Sequence, residues 1–426
     1  MSSDWGKISA GISRTNMQAW LFLFSISFLV CFDRWVSIFK TSSALLSVDI
    51  VTLFTSLKRL ILLPATKLLK YKFTPSSDRF ETIDSLRGFL AISVFIHHSN
   101  IWYKYLHTGN WEAPESNIFN QLGQTGVALF FMISSFLFIN KLINFKGESF
   151  NWKSFFLKRI FRLVPLHIFI TLTIIIIVFI ESNWTLNTGY MLLTKSIIKW
   201  FGFGTVGLPL INGFSASIIN AGVLWSLKYE WLLYFSLPII SIIILKSKPK
   251  IFILVVSLFF IIITFHYNNY YFEHLLSFLG GAIAPIISKL SKKELNYNNQ
   301  WFTLFLLISI ISIFQFHSSN SYLCKFFITI SFTLIALGND LFGLLKNTTF
   351  KLLGEISYST YLLHGIIIFV TINYIYGLEE TILLSKIEYC LFIFIISPIV
   401  IFLSFLTFKF IEKPFLKMQN VLQQRI

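Results

Sequence analysis

SLRGFLAISVFIHHSN, Ser85–Asn100, decides how the rest of the chain is read. It has the apolar body of a membrane-spanning helix, yet it carries Arg87 at one end and His97 and His98 inside. The whole chain has 426 residues, of which 55% are hydrophobic and 13% charged, and its mean hydropathy is +0.72. An ordinary soluble protein carries roughly a quarter charged residues. Apolar runs of about 17 to 25 residues recur from Met17 to Phe410, the length that crosses a hydrocarbon core of about 30 Å. The fold class is therefore all-α: a polytopic membrane protein with about ten core transmembrane helices plus one or two N-terminal apolar helices.

Hydropathy places the core spans near 88–106, 123–141, 163–181, 222–245, 251–267, 271–288, 301–317, 322–345, 352–375 and 388–410. The formal net charge is +16, but the basic residues form short clusters between spans rather than one patch, so they read as topology signals and not as a nucleic-acid surface. With Arg87 cytoplasmic, the inner loops hold most of the Lys and Arg, among them Lys141, Lys158, Arg159, Arg162, Lys289, Lys346, Lys351, Lys413 and Lys417. The outer loops hold Lys195, Lys199 and Lys386, with Lys104 and Lys325 as exceptions at outer helix ends. The bias sets the C-terminus inside. The outer loop 182–221, apolar and rich in Gly, reads either as re-entrant or as lying on the outer surface.

Residues 1–80 read as an N-terminal extension with one or two membrane-associated helices, 81–418 as the transmembrane core and 419–426 as a cytoplasmic tail. Its first apolar run lacks a clear cleavage site and reads as an anchor. Cys31, Cys324 and Cys390 lie far apart with no metal or redox spacing. The Ile, Phe, Asn and Lys content fits an AT-rich bacterial genome, hence an integral protein of the bacterial inner (plasma) membrane.

Ionisable groups inside a bilayer are costly and face cavities or one another, so they are the informative residues. Eleven steps of about 100° bring His98 to within roughly 20° of the face that carries Arg87, about 16 Å further along the axis. Arg87 falls at the cytoplasmic mouth and His98 near mid-membrane, while His97 points elsewhere. In FFLKRIFRLVPLH, Phe155–His167, Arg159 and Arg162 stand one turn apart, and two forked guanidiniums at a membrane mouth suit phosphate. The plain alternative is positive-inside charge.

LWSLKYEWLLYF, Leu224–Phe235, puts Glu230 about eight residues into the fourth span, about 12 Å deep. Lys228 cannot face it at spacing two, so a histidine or arginine elsewhere is the expected partner. LGEISYSTYLLHG, Leu353–Gly365, lines Ser357, Tyr361 and His364 along one polar stripe, with His364 at a depth comparable with His98. Such stripes also act as interhelical glue. Zinc-helix, nucleophile-elbow and phosphate-loop motifs are absent from the sequence, and no metal is expected.

These segments, in this order, resemble the acyltransferase-3 family of integral membrane acyltransferases over about residues 81–418. Arg87 and His98 match its Arg, ten residues, His signature, with Asp84 ahead of it in IDSLRG. Arg159 and Arg162 match its Arg-x-x-Arg signature. GVALFFMISSFLF, LWSLKYEWLLYF, LGEISYSTYLLHG and FIEKPF also resemble its patterns, although Ser135 stands where a Gly is usual and YEWLLY lacks the common second acid.

The resemblance implies transfer of an acyl group, most often acetyl from acetyl-CoA, to a hydroxyl of a glycan or lipid-linked saccharide. On that reading His98, Arg87 and Glu230 are the catalytic candidates, and Arg159 and Arg162 bind the acyl-CoA cofactor. Asp84, Ser357, Tyr361 and His364 bind substrate or support the site. His98 acts either as general base or as an acyl-histidine nucleophile. Some family members carry an extracytoplasmic esterase-like domain; here the expectation is a separate extracytoplasmic partner protein or transfer completed within the bundle. Membrane lipid is the remaining partner. The alternative function is a polysaccharide-unit transporter or flippase, in which the buried polar residues line a pathway, although no inverted repeat is visible.

Overall fold

The computed structural model describes residues 80–145, 150–245, 251–267, 272–291 and 295–423. The expected membrane-associated helices of the N-terminal extension lie outside the described residues. Among the described residues the protein is helical and contains no strand. The spans expected from hydropathy correspond to α1 (Glu81–Thr108), α2 (Asn117–Ile143), α3 (Trp152–Glu181), α5 (Leu227–Leu245), α6 (Ile251–Tyr267), α7 (Phe272–Leu290), α8 (Gln300–Ile313), α9 (Tyr322–Ala336), the pair α10 (Thr348–Glu355) and α11 (Ser357–Val370), and α13 (Lys386–Thr407). Three shorter helices are additional: α4 (Tyr190–Phe201), α12 (Leu378–Ile382) and α14 (Lys413–Gln423).

Packing follows from what lipid withholds. Helices in a bilayer associate through close contact of small residues rather than through expulsion of water. A Cβ on Gly88 would lie 2.6 Å from the Gly354 nitrogen and from the Phe350 carbonyl, so α1 and α10 cross backbone to backbone. Gly281 of α7 meets the Met132 backbone of α2 in the same way. α1 and α2 each contribute to two buried clusters: one shared with α3, α5, α11 and α13, the other with α7, α8 and α9. They form the partition around which the bundle is built. Outward, α3 exposes Ile168, Phe169, Leu172, Ile176 and Ile180, and α6 exposes Val255, Leu258, Phe259 and Ile262. That surface belongs in hydrocarbon.

Three boundaries differ from the hydropathy reading, each for a local reason. The eighth span ends at Ala336, not near 345, because Gly338 turns with φ 109° and the polar run Asn339–Asp340 follows. The ninth is broken at Ile356, where the Ser357 hydroxyl donates to the Gly354 carbonyl at 2.8 Å and α11 starts afresh. The fourth opens with a 3-10 turn at Val223–Ser226 before α5.

The loop at 182–221 has two parts. α4 stays peripheral, exposing Tyr190, Met191 and Ile198 while burying Leu193 and Trp200. Asn212 pins the return by donating to Ser182 Oγ at 3.1 Å and to the Thr185 carbonyl at 2.8 Å. The chain then enters the bundle until the Asn220–Ala221 backbone lies against Gly365. α5 therefore begins at the level of α11's polar residues.

Candidate functional site

Five cationic side chains gather around one cavity of about 290 Å³. Arg87 comes from α1, Lys141 from the C-terminal end of α2, and Lys158, Arg159 and Arg162 from the first half of α3; among the described residues Glu230 is the one carboxylate in the wall. The arginine-bearing stretch of α3 is regular helix, not the loop hydropathy suggested. The Asn151 side chain caps it by accepting from the Ser154 N–H at 2.9 Å, and the helix runs on past Pro165. Arg159 and Arg162 thus stand one turn apart on a rigid face, where a phosphate can bridge them. The Arg159 guanidinium is also held over the rings of Phe138, at 5.0 Å, and Tyr234, at 5.9 Å, a stacking that a planar cation favours.

Glu230 meets the expected arginines through charge, with Arg87 and Arg159 acting on it across the cavity, and takes its hydrogen bond from another residue. Its hydrogen-bond partner is Tyr234, one turn further along α5, which donates its hydroxyl to the carboxylate. Arg87, Arg159 and Arg162 share the cavity with it, but neither a histidine nor an arginine is its hydrogen-bond partner among the described residues. The signal for Tyr234 in the sequence is its i+4 spacing from Glu230, which puts a hydroxyl donor one turn from the carboxylate. Nor does Glu230 sit eight residues into a helix: it lies in the first turn of α5, one turn beyond Ser226.

At the other end of the cavity, Ser226 and Tyr361 share a hydrogen bond of 2.8 Å, and the Tyr361 hydroxyl also donates to the Val223 carbonyl at 3.3 Å. Ser357 lines the same wall. One turn beyond Tyr361 lies the histidine pair: His364 Nε2 is 3.0 Å from His98 Nδ1, and His364 Nδ1 is 2.9 Å from the Thr360 carbonyl. His364 is fully buried and His98 is 9% exposed. Neither histidine is part of the cavity wall; the Tyr361 ring, 6.2 Å from that of His364, stands between. His97 has a different use. Its Nδ1 bonds the Phe119 carbonyl at 2.8 Å and its ring packs on Gly123, so it serves the contact of α1 with α2.

A second cavity of about 210 Å³ lies behind the first and shares Arg87 and Arg162 with it. Its other charged residues are all acidic: Asp84, Glu355 and Glu412. Glu412, only 2% exposed, accepts a hydrogen bond from Ser359 of α11. It sits in a π-helical turn, Phe408–Glu412, that closes α13. The sequence reading passed over Glu412 inside FIEKPF, and it read Lys141 and Lys158 as topology charges alone. A carboxylate ending a long apolar run was the signal available for Glu412. Among the described residues no three His, Cys, Asp or Glu side chains converge as a metal site.

The chain belongs to the acyltransferase-3 family: the family's acyltransferase domain matches residues 80–409. It is also similar to nodulation protein 10 of Rhizobium leguminosarum bv. viciae, with 29% identity over 175 residues, which cover 39% of this chain and 45% of that protein. The matched part thus spans less than half the length of that relative. No solved structure matches. The chain thus carries the family's acyltransferase domain, and among the described residues four helices are long and apolar enough to cross a membrane.

Proposed function

We propose that the donor is an acyl-CoA, acetyl-CoA foremost, entering from the cytoplasm, and that the acceptor is a hydroxyl of a surface glycan or lipid-linked saccharide. The observation that supports this best is the cavity lined by five cations, with hydroxyls and a histidine pair beyond its far end. Phosphates of the donor bind Arg159, Arg162 and Lys158. Arg87, at the junction of the two cavities, orients them. A volume of about 290 Å³ lies at the small end of ligand pockets, so it takes the pantetheine arm and adjoining phosphate while the nucleotide rests at the mouth by Lys141.

His98 then removes the proton of the acceptor hydroxyl. The oxygen attacks the thioester carbon, the C–O bond forms, the C–S bond breaks, and the imidazolium passes its proton to the departing CoA thiolate, which leaves as the thiol and returns His98 to its neutral form. Tyr361 and Ser226, in the cavity wall on the histidine side, turn their hydroxyls from each other and from the Val223 carbonyl to donate to the oxygen that gains charge. The protein acts in the bacterial inner membrane with its C-terminus inside.

Purified protein incubated with labelled acetyl-CoA and a glycan acceptor tests the reading. A general base contributes about 10²- to 10⁴-fold. His98→Ala is expected to lose that factor in CoA release while abundance and CoA affinity stay normal, and NMR of the surface glycans of cells lacking the protein is expected to show missing acetyl groups. Undiminished turnover by His98→Ala rules out His98 as the base.

A further inference from the structure

The geometry points to His364 as a positioning residue that holds His98 in a single tautomer, with Nε2 as the basic nitrogen; this rests on the reading of His98 as the base. A backbone carbonyl only accepts, so the Thr360 carbonyl, 2.9 Å from His364 Nδ1, puts a proton on that nitrogen. A neutral imidazole with Nδ1–H has its lone pair on Nε2. That nitrogen lies 3.0 Å from His98 Nδ1, so the hydrogen between the rings belongs to His98. Neutral His98 is then left with its lone pair on Nε2.

Each link is fixed by the fold. Thr360 and His364 are one turn apart on α11, so the carbonyl that sets the first tautomer is part of the helix itself. The two rings lie 28° from parallel with centroids 5.1 Å apart, and Gly365 lets the Asn220 backbone close against α11 at this level. In the proposed transfer the acceptor's proton goes to His98 Nε2. Nδ1–H stays in its bond to His364, which stabilises the imidazolium through a neutral acceptor, and the Nε2 proton leaves with the CoA thiolate. His364 itself neither gains nor loses a proton. The Val94 carbonyl, one turn back on α1, also hydrogen-bonds the His98 ring, so loss of His364 weakens the hold on the tautomer without abolishing it.

The experiment uses the full chain in lipid nanodiscs, as wild type, His364→Ala, His364→Gln and His98→Ala. It measures kcat, KM for acetyl-CoA, and the ¹⁵N spectrum of labelled histidines, with the His98 signals identified by their loss in His98→Ala. His364→Ala is expected to lower kcat roughly 10- to 100-fold, as removal of a residue that orients a functional histidine does, with KM for acetyl-CoA within about twofold because His364 does not line the cation cavity. Its His98 signals are expected to shift from one tautomer to a mixture. Glutamine, whose amide oxygen accepts but cannot relay a proton, should restore a single tautomer and most of kcat. The inference is overturned by unchanged kcat and tautomer in His364→Ala, or by glutamine failing to recover either while the protein still binds acetyl-CoA. Undiminished activity in His98→Ala sinks the underlying reading instead, whatever His364 does, and the tautomer signals report on the pair without any turnover.

Discussion

Replacing Arg159 by methionine tests whether the cavity binds phosphate. Methionine keeps an unbranched apolar stem and removes the forked cation together with its stacking on Phe138 and Tyr234. In the protein that guanidinium is already held over the rings of Phe138 and Tyr234, so little side-chain freedom is lost when a phosphate arrives. A hydrogen bond to a charged group contributes about 1.5–3 kcal/mol. Arg87, Lys141, Lys158 and Arg162 remain around the same cavity and partly replace the lost field, which favours the lower part of that range. At about 1.4 kcal/mol per tenfold, a loss of roughly 1.5–2 kcal/mol weakens CoA binding about 10- to 30-fold. Calorimetric titration of the solubilised variant with CoA, and separately with phosphate-free S-acetylpantetheine, measures it. CoA should bind more weakly and S-acetylpantetheine as before, and the wild-type affinity for CoA should fall as salt rises. An equal loss for both ligands, or none for CoA, refutes the phosphate assignment. Lysine at position 159 should restore part of the charge but not the stacked fork.

Gly88→Ala puts a methyl group 2.6 Å from backbone atoms of Phe350 and Gly354, which cannot rotate away. Overpacking of this kind costs about 1–3 kcal/mol, so the melting temperature in detergent should fall, and an unchanged value would show that α1 and α10 can separate freely. Asp340, in the turn between α9 and α10, offers a pH test outside the spans. Burial raises its pKa, but donors from Lys346 at 2.7 Å, the Gly343 N–H at 2.8 Å and Asn298 at 2.9 Å outweigh that and hold the carboxyl below its ordinary value. A depressed folded pKa stabilises above the unfolded value of about 3.9 and stops doing so as pH falls through the folded one. Asp340→Asn should therefore lower thermal stability at pH 7, with the difference shrinking below about pH 4; a deficit constant over that range contradicts the assignment.

The helices were legible because a long apolar run has few other uses, and the eleven-residue spacing from Arg87 to His98 survives because α1 is unbroken from Glu81 to Thr108. What could not be read was distance between elements. That His98 and His364 lie at a comparable depth follows from counting along two helices, but that their nitrogens meet at 3.0 Å depends on how α1 and α11 are rotated about their axes. The position of Glu230 in its helix differs from the expected one for a related reason. Counting residues from the start of a hydropathic span put it inside a helix, whereas the span begins with a 3-10 turn and the loop before it enters the bundle. Hydropathy reports where a segment prefers to be, and it is silent on where the helical hydrogen bonds begin.

The same limit concealed the second cavity, and that cavity explains how this bundle tolerates Arg87 and Arg162. A buried cation is costly unless paired or solvated. Asp84, Glu355 and Glu412 stand on one side of the two arginines, and Lys141, Lys158 and Arg159 on the other. Carboxylates on the rear offset the burial cost, while five cations facing one carboxylate on the front leave an excess of positive charge there. An anionic ligand is the group that completes such an arrangement. Glu412 comes from the far end of the chain and Asp84 from the first helix of the core, so the charge balance is established only when α13 has closed against α1 and α11. The sequence places only Asp84 beside an arginine, one turn from Arg87 on the same helix, while Glu355 and Glu412 join the two arginines only when the bundle is assembled.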